Sequence, residues 1–190
     1  MKPKKIGILG GTFNPIHLGH LVMAQQALNQ LELDEVRFMP DYLPPHVDHK
    51  DAISAIDRVN MIKLAIADNP KFNLELCEVK RKGKSYSYDT MKELTTSNSN
   101  DKFYFIIGGD MVNYLPKWYR ISELLKIVTF VGVNRIGNQK SNEAPVLWID
   151  SPTIGISSTD IRSQIQSKQN LKYLLPDNVI TYIKENQLYE

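Results

Sequence analysis

The chain has 190 residues, 42% of them hydrophobic and 23% charged, a balance that excludes an intrinsically disordered protein and suits one well-packed domain better than two. Its formal charge of +2 gives no electrostatic case for a nucleic-acid or membrane partner, and no apolar stretch is long enough to span a bilayer. Cys77 is the only cysteine, so no internal disulfide can form, and the apolar run after the basic residues 1–5 is too short for a signal-peptide core; a reducing, cytoplasmic setting is expected.

Residues 4–9 read as an apolar strand. The string Gly10-Gly11-Thr12-Phe13-Asn14-Pro15-Ile16-His17-Leu18-Gly19-His20 follows at once and leads into an amphipathic helix over 18–31. Two adjacent glycines let the backbone turn sharply and leave its N–H groups open to a phosphate oxygen. Pro15 directs the chain into the helix, whose first turn is expected to carry His17, Gly19 and His20. Imidazoles at i and i+3 share one side of that turn and can donate into one anion, beside the amides and dipole of the helix start. GGTFNP by itself is also ordinary loop chemistry. The coincidence of turn, helix start and paired histidines points to a nucleotide-phosphate site. GxGxxG and GxxxxGK[ST] are both absent, which argues against a P-loop NTPase.

Farther along, residues 36–39 read as a second strand and 41–51 as a loop in which Pro44-Pro45 excludes a helix. Ser54 and Asp57 approximate a capping box for a helix to about residue 67. Residues 72–79 alternate and read as a strand, with Cys77 a small buried hydrophobe and Lys80-Arg81-Lys82 its solvated end. A helix over 88–95, strands over 102–107 and 127–133 with a helix over 121–126 between them, an exposed loop over 137–143 and a strand over 146–149 come next. Ser157 or Ser158 caps a helix to about 165, and a last helix runs over 177–186. This alternation predicts an α/β fold, a Rossmann-like open parallel sheet with helices on both faces. Such a sheet binds its ligand beyond the carboxyl ends of its strands.

Ser157, Ser158 and Thr159 offer hydroxyls and amides at a helix start, with Arg162 a forked phosphate donor one turn on. Alone, they also make a good helix cap. Gly108-Gly109-Asp110 ends a strand, where glycines admit a flat ring or ribose; the plainer reading is a turn. Trp118 and Tyr119 are core or edge packing on composition alone.

The string GGTFNPIHLGH resembles the HxGH signature of the nucleotidyltransferase superfamily of adenylyl- and cytidylyltransferases, and Ile156-Ser157-Ser158-Thr159-Asp160-Ile161-Arg162 resembles its second signature, ISSTxIR. Phe105-Ile106-Ile107-Gly108-Gly109-Asp110 and Trp118-Tyr119 look like the pattern of the bacterial nicotinate mononucleotide adenylyltransferases. The resemblance implies that residues 1–190 are one nucleotidyltransferase domain transferring AMP from ATP to nicotinate mononucleotide in NAD biosynthesis. His17 and His20 are then catalytic. Gly10, Gly11, Thr12, Phe13, Gly109, Asp110, Ile156, Ser157, Ser158, Thr159 and Arg162 serve ATP, and Asn14, His46, Tyr86, Ser87, Trp118 and Tyr119 serve the mononucleotide. Trp118 is expected to stack on the pyridine ring and Asp110 to accept from ribose hydroxyls. Gly83-Lys84-Ser85-Tyr86-Ser87-Tyr88-Asp89-Thr90 resembles the family's substrate segment but departs from it at Ser87, where threonine is usual.

The chemistry this implies needs no general base, because the attacking phosphate is already ionised at neutral pH. With the triphosphate over Gly10, Gly11 and Thr12, the mononucleotide phosphate attacks the α-phosphorus in line and pyrophosphate leaves. The protein supplies positioning and charge stabilisation, and Mg²⁺ arrives with ATP. A preference for nicotinate over nicotinamide calls for donors facing a carboxylate, expected from backbone amides near Ser87 and Tyr119.

Three other readings stand beside this one. Phosphopantetheine adenylyltransferase shares the motif type but typically has threonine for the first histidine. A four-histidine metallohydrolase would use His17, His20, His46 and His49 with Asp41, Asp48 or Asp51, and leaves Gly10-Gly11 and the second signature unexplained. A nucleotide sensor would keep the pocket without turnover. No dedicated metal site is expected, and a homo-oligomer stays open because no exposed apolar stripe decides it.

Overall fold

The computed structural model describes residues 2–43, 52–135 and 145–190. Six parallel strands form one sheet in the order β3-β2-β1-β4-β5-β6, from β1 (Lys5–Gly11), β2 (Glu35–Pro40), β3 (Phe72–Leu74), β4 (Lys102–Gly108), β5 (Thr129–Arg135) and β6 (Val146–Ser151). The chain builds outward from β1 in one direction, then returns to β1's other edge with β4 and builds the opposite way. Neighbouring crossovers therefore diverge between β1 and β4, and a crevice opens beyond their carboxyl ends. Gly10 and Gly11 end β1 there, and Gly108 ends β4.

Alternation along the central strands sorts their side chains onto two faces. Ile6 and Ile8 of β1 join Phe103, Phe105 and Ile107 of β4 in one core, under Met91, Leu94 and Leu124. These come from α4 (Ser87–Ser97) and α6 (Ile121–Ile127), with the short α3 (Cys77–Arg81) and α5 (Gly109–Val112) preceding each of them. On the other face Leu9, Ile106 and Val131 pack against Ala24, Ala27 and Leu28 of α1 (Leu18–Gln30) and Met61 and Ile62 of α2 (Ala55–Ile66). Ile161 of α7 (Ser158–Gln166) and Val179 of α8 (Asp177–Glu185) complete that layer.

Two helix starts follow directly from their sequence. Ser54 Oγ accepts the Asp57 amide at 3.1 Å and donates back to the Asp57 carboxylate at 2.7 Å; Ser157 and Asp160 repeat the pattern at 3.1 and 2.6 Å. Elsewhere local pattern misleads. The alternating stretch 72–79 is strand only to Leu74: the Glu75 amide makes a last bond to the Phe38 carbonyl of β2, and the Glu75 carboxylate then accepts the amide of Cys77, the first residue of α3, at 3.2 Å. The Lys80-Arg81-Lys82 run closes that helix instead of a strand, and Arg81 donates to Thr90 at 2.6 Å and Glu93 at 3.2 Å. Ile127 ends α6, so β5 begins at Thr129. Residues 44–51 and 137–143, the two expected loops beyond Leu43 and Arg135, lie outside the described residues, and with them His46, Asp48, His49 and Asp51.

Candidate active site

The sharp turn after β1 is not at the glycines. Gly10 and Gly11 are strand residues paired with Met39 and Pro40, and the left-handed residue is Phe13, at φ 50°. That conformation drives the Phe13 ring into the core, edge-on to His20 at 5.0 Å and 6.0 Å from Phe38. Phe13 thus backs the imidazole from inside the protein. Gly10 and Gly11 instead leave bare backbone on the crevice, where they line a cavity of about 320 Å³.

His17 is the N-cap residue of α1 and not part of its first turn; His20 is the third residue of the helix. The rings lie 3.7 Å apart, and the His17 amide donates to His20 Nδ1 at 3.2 Å. A neutral His20 with Nδ1 so occupied carries its proton on Nε2. Burial, and secondarily the charge of His17, push the His20 imidazole well below its ordinary range, so it is neutral at physiological pH. Gly19 suits this pairing: a β-carbon there would sit 3.0 Å from the His17 ring and press on it.

The loop between β1 and α1 is held from four distant parts of the chain. Arg58, 1% exposed on α2, donates to the Thr12 carbonyl at 2.7 Å, the Asp41 carboxylate at 3.2 Å and the Asp41 carbonyl at 2.8 Å. The Thr12 hydroxyl donates to the other Asp41 oxygen at 2.8 Å. Asn14 is buried, its Oδ1 accepting from the Tyr189 hydroxyl at 2.9 Å and the Ile53 amide at 3.4 Å. From the second signature, Ser158 donates to the Pro15 carbonyl at 2.9 Å and Arg162 to the Asn14 carbonyl at 2.9 Å. Arg162 also reaches Thr159 Oγ1 at 3.4 Å. The two signatures therefore form one hydrogen-bonded unit, in which Arg162 and Ser158 bond the backbone of Asn14 and Pro15.

The remaining candidates fall around two cavities. Tyr86, Ser87, Asp110, Trp118 and Tyr119 line the larger one with Gly10 and Gly11. Ile156, Ser157 and Ser158 line a second, of about 230 Å³, with His17 and Gly19. His20, Met23 and Gly108 border both. Gly109 lies beside them at the head of α5, while Thr12, Phe13, Asn14, Thr159 and Arg162 are not among the residues that line either cavity. Trp118 is packed edge-on to Phe105 and Phe130, each at 5.8 Å, and its buried Nε1 has no partner among the described residues. Tyr119, 49% exposed, lies with its ring tilted 46° to that of Tyr86, centroids 4.9 Å apart.

Arg58, Tyr189 and Glu78 were invisible as site residues in the sequence. Arg58 sits in a helical pattern where an arginine reads as solvent-facing, and Tyr189 has no local signal at all. Asp41, which follows β2 at the sheet's carboxyl edge, carries the same positional signal that marks Asp110. Among the described residues no group of three or more His, Cys, Asp or Glu is placed to hold a metal ion, and the four-histidine arrangement needs two residues outside them.

The sequence pattern of the Cytidylyltransferase-like family matches residues 8–164. The nicotinate-nucleotide adenylyltransferase of Bacillus subtilis is 50% identical over 187 residues, 98% of this chain and 99% of that protein. The chain belongs to the nicotinate-nucleotide adenylyltransferases. A Lactiplantibacillus plantarum protein assigned the same activity is 57% identical over 98% of this chain and 89% of its own length. Among solved structures, Plasmodium falciparum nicotinic acid mononucleotide adenylyltransferase complexed with NaAD superposes with a TM-score of 0.80 at 22% identity, covering 98% of this chain and 97% of its own. The fold of the adenylyltransferase is thus the same at an identity too low to carry more than the fold. Among its described residues no helix is long and apolar enough to cross a membrane.

Proposed function

We propose that residues 1–190 are one nucleotidyltransferase domain that transfers AMP from ATP to nicotinate mononucleotide, giving nicotinate adenine dinucleotide and pyrophosphate. The observation that carries this reading is His20 on the shared rim of two cavities at the β1/β4 crevice. A reaction joining two nucleotides needs two compartments and a donor where they meet. The smaller cavity, under Ile156–Ser158, takes the adenosine side of ATP; the larger, with Tyr86, Ser87, Trp118 and Tyr119, takes the pyridine mononucleotide. Gly10 and Gly11 admit phosphate between them.

His20 is neutral and keeps its proton on Nε2, so it donates one hydrogen bond to the α-phosphate without giving up a proton. This suits a reaction whose nucleophile is already anionic. His17 adds a second imidazole within the same turn. Mg²⁺ comes bound to the triphosphate and neutralises the leaving pyrophosphate. The start of α4 opens on the larger cavity at Ser87, and its unpaired amides are suited to a nicotinate carboxylate. The single cysteine fits a cytoplasmic setting.

The test is dinucleotide formation from ATP with nicotinate or nicotinamide mononucleotide. We expect the acid to be used in clear preference, and His17→Ala and His20→Ala each to lower kcat by roughly 10²–10³, the cost of removing one donor from a charge-stabilising site. A protein that binds ATP yet releases no pyrophosphate with either mononucleotide would overturn the reading. Equal turnover of acid and amide would overturn the carboxylate assignment.

A further inference from the structure

Glu78 is a charged side chain only 4% exposed, yet it lies in the wall of the larger cavity and takes no part in the reaction described above. Its Oε1 accepts the Thr90 hydroxyl at 2.8 Å, and the Ser85 hydroxyl lies near the same carboxylate. Each of those residues is itself anchored. Ser85 Oγ accepts the Tyr42 amide at 3.1 Å, and the Ser85 amide donates to the Leu43 carbonyl at 3.0 Å. Thr90 Oγ1 accepts from Arg81 at 2.6 Å, and Arg81 also reaches Glu93 at 3.2 Å.

Ser85 and Thr90 bracket Tyr86 and Ser87, the two residues that pass from the loop into α4 along the cavity. A buried carboxylate is costly unless hydrogen-bonded, and an aliphatic side chain would pack in the same space. What the carboxylate adds is direction: it holds the Thr90 hydroxyl in the first turn of α4, and so leaves the start of α4 facing the cavity. Burial pushes the Glu78 carboxyl above its ordinary range, with Asp41 adding to the rise and the two hydroxyls and Arg81 opposing it.

We propose that Glu78 is the positioning residue of the acceptor half of the pocket. Bonded to Thr90 in the first turn of α4, it fixes the Tyr86–Ser87 wall against which the carboxylated pyridine mononucleotide binds. It touches neither ATP nor the reacting phosphorus. The inference rests on the assignment of the larger cavity to the mononucleotide.

Glu78→Gln, Thr90→Val and Thr90→Ser test it, with initial rates measured while ATP and nicotinate mononucleotide are varied separately and thermal unfolding followed alongside. Glu78→Gln and Thr90→Val should raise the KM for the mononucleotide about tenfold while the KM for ATP stays within about twofold, and Thr90→Ser, which keeps the hydroxyl, should restore the mononucleotide KM. A lowered Tm with an unmoved mononucleotide KM in both variants, or an equal rise in both KM values, would overturn the proposal. Wild-type protein that makes no dinucleotide from nicotinate mononucleotide would instead remove the functional reading beneath it, before any variant is compared.

Discussion

Burial of its ring, and after that the charge of His17, set how His20 behaves with pH, while the His17 amide donates to its Nδ1 at 3.2 Å. An imidazolium at His20 would have to give up this acceptor and carry charge beside His17. The folded protein therefore holds His20 below the value of about 6.5 it has in the unfolded chain. Between those two values the unfolded chain binds more protons, so the His20 contribution is fully present above about pH 6.5 and is lost as pH falls below it. Urea unfolding at pH 7.5 and pH 5.5 should show a fall in midpoint for the wild type that is smaller in His20→Gln, which cannot titrate. An identical fall in both would contradict the assignment.

At the scale of elements, α2 reaches the loop after β1 through one side chain. Arg58 is fully buried and bonds the carbonyls of Thr12, Ile53, Asp41 and Tyr42 as well as the Asp41 carboxylate. Replacing it with methionine keeps much of the volume but strands a carboxylate and several carbonyls in a desolvated place. We expect Arg58→Met to lose about 3–5 kcal/mol of stability, as for a broken buried ion pair. Adding Asp41→Asn to Arg58→Met should recover part of the loss by removing the unpaired charge, and chemical denaturation of the three proteins measures both steps. A double variant no more stable than Arg58→Met would show that the cost lies in packing and not in the stranded charge.

Across the whole molecule, the two halves of the sheet meet where β1 and β4 lie side by side, and both cavities open at that end of the sheet. A ligand spanning that crevice bridges α1, α4, α5 and α7, so its binding energy is added to the stability of the folded chain. Nicotinate adenine dinucleotide at a hundredfold excess over its Kd should add about 2.7 kcal/mol, a rise of roughly 5–10 °C in Tm by thermal unfolding. Nicotinamide mononucleotide at the same concentration should shift Tm less, since it lacks both the adenosine half and the carboxylate.

The sequence by itself determined the α/β class, the parallel sheet, most element positions and the family, because strand runs, helix caps such as Ser54 and Ser157, and the two signatures are all local patterns. It misread 72–79, where alternation continued past Leu74 into the helix that begins at Cys77, and it placed a turn at Gly10-Gly11 that the chain makes at Phe13. Only the tertiary structure decided that Arg58 bonds the Thr12 carbonyl, Arg162 the Asn14 carbonyl and Tyr189 the Asn14 side chain, that Trp118 packs edge-on to Phe105, and that Glu78 is buried against Thr90. Those facts rest on hydrogen bonds between residues as far apart as 175 positions, Tyr189 to Asn14, which leave no trace in the spacing of neighbouring side chains.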